Sequence, residues 1–140
     1  MPKKQGSELV RHDIAFLNAD NENEIKWVQR AAFLMKDKLG IECAIPGKDY
    51  LFGVPVKKLD VYFQRFKTVI VTVSKDSHIA SKYKINQFES SIVVELEYRK
   101  SIPVDLRNMQ YINGTLCEHL WFAQIAKVLL KRHPGKYIYI

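Results

Sequence analysis

The sequence has little cysteine, no long apolar run and no glycine-rich phosphate loop, and each lack excludes a class of protein. Two cysteines in 140 residues, Cys43 and Cys117, are too few and too far apart for a disulfide framework or a zinc site. The four histidines (His12, His78, His119, His133) share no metal-ligand spacing. No stretch approaches the roughly 20 apolar residues of a membrane span. The lysines near Met1 are not followed by the apolar core of a signal peptide. Neither a G-x-G-x-x-G nor a Walker sequence occurs, so an ordinary nucleotide-binding α/β domain is not expected. These lacks together predict a reduced, metal-free domain in the cytoplasm.

What is present is a hydrophobic share of 47% and a net charge of +7, enough apolar residue for one sizeable core. The cations at Lys57, Lys58, Lys82, Lys84, Lys127, Lys131 and Arg132 are spread over several elements. They lack the clustered, aromatic-interleaved pattern of nucleic-acid binders. A solvated basic surface that attracts acidic partners or anionic membrane is expected instead.

The organising stretch is Lys67-Thr68-Val69-Ile70-Val71-Thr72-Val73-Ser74. Its six consecutive β-branched residues favour a strand, and the lack of apolar/polar alternation favours one covered on both faces. That predicts a parallel α/β sheet with its site at the carboxyl ends of the strands. Residues 1–10 read as a polar, basic tail, 11–134 as the domain and 135–140 as an apolar tail. Residues 13–17 read as a first strand ending in an Asx-rich turn that caps a helix carrying Ile25, Val28, Ala32, Met35 and Leu39, with Gly40 as its stop. Residues 41–45 read as a second strand. The loop at 46–55 holds two Gly and two Pro, yet carries Tyr50, Leu51 and Phe52, either folded onto the core or exposed as a docking knob.

Val56, Leu59, Phe63 and Phe66 trace the next helix. A further helix is expected over about residues 84–99, with Ile85, Phe88, Ile92 and Leu96 on one face. Short strands are expected at 102–104 and 109–112, the former at an edge because of Pro103. A last helix spans about 118–132, with Leu120, Trp121, Ile125, Val128 and Leu129 inward. The whole predicts a flavodoxin-like three-layer sandwich with a five-stranded parallel sheet. Asn113-Gly114-Thr115 matches a glycosylation acceptor, which has no use without secretion.

Three segments resemble the boxes of the Toll/interleukin receptor (TIR) domain, from about His12 to Arg132. His12-Asp13-Ile14-Ala15-Phe16-Leu17 resembles the first box, with Asp13 and Phe16 at its key positions. Lys48-Asp49-Tyr50-Leu51-Phe52-Gly53, after a strand bearing Cys43, resembles the second, with Phe52 where the family has proline. Trp121-Phe122 resembles the third in reversed order. Within the family the likeness is greatest to the death-domain-linked adaptor of Toll signalling, through Val71–Asp76 and Ile125–Leu129, and to TIR domains fused to STING.

The resemblance implies an innate-immune adaptor or scaffold that associates with other TIR domains, its own copies or those of receptors and adaptors, without nucleic acid. Lys48 would steer, Asp49 shape the loop, and Tyr50, Leu51 and Phe52 anchor. It also implies an alternative, since some TIR domains hydrolyse NAD with a glutamate on a helix after the central strand. That position falls on Gln87, whose amide cannot supply the negative charge. Glu89 lies about 200° further round a helix and takes the role only if the alignment slips. The expectation is no catalytic residue and no cofactor, with Glu89 and NAD belonging to the alternative alone.

Overall fold

The computed structural model describes residues 14–45, 56–74, 88, 90–96 and 110–132. The six β-branched residues form strand β3 (Thr68–Val73), every one of them buried. β1 (Ile14–Leu17) lies on one side of it, and β4 (Ser91–Glu95) and then β5 (Gln110–Asn113) on the other. β2 (Cys43–Ala44) pairs with the outer side of β1. The sheet order is β2-β1-β3-β4-β5 and all four pairings are parallel, as expected of a flavodoxin-like sheet.

Strand side chains alternate between two cores. Ile14, Phe16, Ile70, Ile92, Val94 and Ile112 face one side, under α1 (Glu22–Leu34) and α3 (Glu118–Arg132). Ala15, Leu17, Val69, Val71, Val73 and Val93 face the other, where α2 (Val56–Phe63) contributes Leu59 and Phe63. Both sheet faces are thus covered, which accounts for a central strand without polar alternation.

α1 begins at Asn21, whose extended backbone and Oδ1, accepting from the Glu24 N–H at 2.9 Å, make the N-cap. The helix widens into a π-turn over Met35–Leu39 and stops at Gly40, whose φ of 69° needs a residue without Cβ strain. Gly114 is required for a different reason. A Cβ there would lie 2.7 Å from Val94 Cγ1 and 2.9 Å from the Glu95 carbonyl oxygen, which accepts from the Gly114 N–H.

Two expectations fail. Residues 91–95 belong to strand β4 and not to a helix: Ile92-Val93-Val94 is a second β-branched run, buried between β3 and β5. Leu120 points outward at 44% exposure, because the inward stripe of α3 is Trp121, Phe122, Ile125, Ala126 and Leu129. The expected edge strand at 102–104 and the two tails lie outside the described residues. No described helix is long and apolar enough to cross a membrane.

Candidate functional site at the carboxyl edge of the sheet

In an open parallel sheet the crevice for a ligand lies where the chain's direction of winding reverses, beyond the strands' carboxyl ends. Here that point is between β1 and β3. Asn18 leaves β1 on the same face as Phe16, while Thr72 and Ser74 bring β3's carboxyl end to the same place, on the face of Ile70. From above, the first turn of α1 delivers Glu24.

Glu24 is fully buried, and both carboxylate oxygens are occupied. Oε1 accepts from the Ala19 N–H at 2.9 Å and the Thr72 hydroxyl at 2.6 Å. Oε2 accepts from Asn21 Nδ2 at 2.8 Å and the Ser74 hydroxyl at 2.7 Å. A carboxylate offers about four lone-pair positions, so these four donors use all of them. Such a group has no capacity left to take a proton from a substrate or to ligate an ion. It works as a clamp, tying the exits of β1 and β3 to the start of α1. The sequence signal for it is the spacing Asn21-x-x-Glu24, a capping box whose glutamate reaches past its own helix into the sheet. Apolar periodicity does not detect it.

Further along the same edge, Tyr111 Oη donates to Glu95 Oε2 at 2.7 Å. Asn18 is buried beside the clamp. Its Nδ2 donates to the Ala19 carbonyl at 3.0 Å, and its Oδ1 accepts no hydrogen bond among the described residues.

The box residues within the described chain are core residues. Phe16 is fully buried and meets Trp27 edge-on at 6.2 Å; Trp27 in turn packs on Trp121 at 4.7 Å, and Trp121 on Phe122 at 6.3 Å. The first and third boxes therefore meet through Trp27, which sequence reasoning had not singled out. Outside this contact, Arg30 bridges α1 to α3 through two bonds to Glu118, at 2.6 and 2.9 Å. The hydrogen bond from Arg30 holds the Glu118 carboxyl below the usual range and raises Arg30 in return. Asp13, the loop Lys48–Gly53, Gln87 and Glu89 lie outside the described residues.

An open groove of about 190 Å³ runs between α1 and β2, lined by Gln29, Phe33, Lys36, Ile41 and Ile45, among others. Neither Cys43 nor Cys117 forms a disulfide, and the Cys43 Sγ lies 3.8 Å from Met35 Sδ. Among the described residues no three His, Cys, Asp or Glu side chains are grouped to hold a metal ion. Compared with known proteins, the sequence matches no family model and no curated protein.

Proposed function

We propose that this chain is a signalling scaffold of the Toll/interleukin receptor type, acting in the cytoplasm through association with other domains of its kind. The observation that carries the reading is the saturated Glu24 clamp at the crevice between β1 and β3. Where folds of this class hold small ligands, the described polar groups are almost all bonded to one another, as suits a rigid body that works by its surface. The meeting of Phe16 with Trp121 through Trp27 agrees with the three-box resemblance.

In this reading the loop Lys48–Gly53 of one copy docks on a different surface of the next. A contact of that heterologous kind does not close on itself, so it grows into open assemblies that concentrate attached effector domains. Lys48 steers the encounter, Asp49 shapes the loop, and Tyr50, Leu51 and Phe52 anchor it.

The test pairs two measurements on one purified sample at high concentration: light scattering for assembly, and nicotinamide release from NAD with Glu89→Ala alongside. Assembly without turnover supports the scaffold. Turnover abolished by Glu89→Ala would replace it with a NAD nucleosidase.

A further inference from the structure

The described cations divide into two groups. Those on α1 and its π-turn each have a carboxylate partner: Lys26 with Glu22, Arg30 with Glu118, Lys36 with Glu42, and Lys38 with Asp37. Lys58 and Arg65, on α2 and the turn that leaves it, are exposed and have no ion-pair partner among the described residues, and neither has Lys67 close by. Lys58 and Val61 fall at i and i+3, so they lie along one outer face of the helix, and Arg65 follows in the turn that leaves it. Val61 between them is 63% exposed, the highest value among the described large apolar side chains. The opposite face of α2 is already committed to the core through Leu59 and Phe63.

Local helix physics does not explain Lys58. The first turn of a helix favours carboxylates, because its free N–H groups carry partial positive charge. The first turn of α2 holds no acid and does hold Lys58. Lys127 and Lys131, also without an ion-pair partner among the described residues, sit toward the carboxyl end of α3, where a cation complements the helix dipole. Among the described residues, Lys58 alone is an unpaired cation in the first turn of a helix, and with Arg65 beyond the helix end it brackets an exposed apolar side chain. A site that departs from local rules without local compensation marks function.

We propose that the outer face of α2 is a docking surface for an acidic protein segment: carboxylates that pair with Lys58 and Arg65 around an apolar side chain that covers Val61. Charge complementarity selects the occupant. Unpaired cations on a chain of net charge +7 attract an acidic partner. Duplex nucleic acid offers nothing apolar to Val61, and one valine is a weak membrane anchor. The inference does not depend on homotypic assembly, and its test is run at concentrations where light scattering shows monomer.

The probe is a fluorescent helical peptide bearing four glutamates around one leucine, followed by anisotropy at low and high salt. The expected result is salt-sensitive binding, weakened about tenfold or more by K58E/R65E and severalfold by Val61→Asp, but retained in K127E/K131E. As a second readout, Lys58→Glu alone leaves the melting temperature equal or slightly higher, since it restores the sign that the helix start favours. Equal binding by wild type and K58E/R65E overturns the proposal. So does an equal loss in K127E/K131E, which would make net charge the cause. Tighter capture of anionic vesicles or duplex DNA through Lys58 and Arg65 would also overturn it and assign the face to that ligand.

Discussion

The Thr72 hydroxyl donates to Glu24 Oε1 at 2.6 Å, joining residues 48 apart in sequence at the carboxyl edge of the sheet. With Ser74 on the other oxygen, the bond makes one buried carboxylate the junction of β1, β3 and α1. A buried charge is tolerated only where its hydrogen bonds are complete, and here they are.

Glu24→Gln is therefore expected to be costly despite its equal size. The amide keeps one acceptor oxygen and turns the other position into a donor facing Asn21 and Ser74, or Ala19 and Thr72. The expected loss is about 2–4 kcal/mol, or roughly 6–12 °C in Tm for a chain of this size. Thr72→Val, which removes one donor of four and keeps the shape, should cost about 1–2 kcal/mol. Urea unfolding of both variants checks this, and a Glu24→Gln loss no larger than that of Thr72→Val would sink the clamp.

Part of this architecture is legible in the sequence. Thr68–Val73 could hardly be anything but a central strand, and Gly40 and the last helix stand where the turn and cap signals put them. β4 was not legible as a strand: Ile85, Phe88, Ile92 and Leu96 have helical spacing, and a short apolar run satisfies either period. Only pairing between β3 and β5 decides it. The clamp was half visible. Asn21 and Glu24 have capping-box spacing, but the bonds to Thr72 and Ser74 are tertiary, and no local pattern encodes them.

Trp27 links the first and third boxes, yet its buried Nε1–H has no hydrogen-bond partner among the described residues. Trp27→Phe keeps an aromatic ring against Phe16 and Trp121 and removes that unsatisfied donor. It should cost less than about 1.5 kcal/mol, whereas Trp27→Ala should cost about 3 kcal/mol. Thermal unfolding distinguishes them; equal losses would mean that the indole nitrogen is paired in solution.

Gly114 and Gly40 should respond differently to alanine. At Gly114 the new Cβ meets the Glu95 carbonyl oxygen at 2.9 Å, so backbone must shift, and about 1–3 kcal/mol is expected. At Gly40 nothing lies within 4 Å, and only the positive φ is penalised, at about 1 kcal/mol. Chemical denaturation of the two variants should keep that order.

The Arg30–Glu118 pair should give a small, salt-sensitive acid dependence. Glu118's folded pKa lies below its unfolded value, so its contribution is present above the ordinary carboxylate range and fades as pH falls through the folded pKa. Both side chains are substantially exposed, so screening keeps the effect small. Tm measured from pH 6 down to pH 2 should fall less steeply in Glu118→Gln than in wild type, and high salt should remove the difference. Parallel curves at low salt would exclude the pair as a source of acid sensitivity.

Phe52 stands where the resembling family has proline, and the scaffold reading makes it an anchor rather than a core residue. Removing a contact anchor weakens association without touching the core, so Phe52→Ala should cut self-association about tenfold or more, the usual effect of losing one buried aromatic anchor. Tm should change by less than about 2 °C, as for a surface substitution. Lys48→Glu should instead slow assembly and alter its salt dependence, as a steering charge does. Sedimentation velocity over a concentration series, with Tm on the same samples, separates the cases. A Tm loss of about 10 °C in Phe52→Ala would place the ring in the core, and the docking role would then pass to Tyr50 and Leu51 or fail altogether.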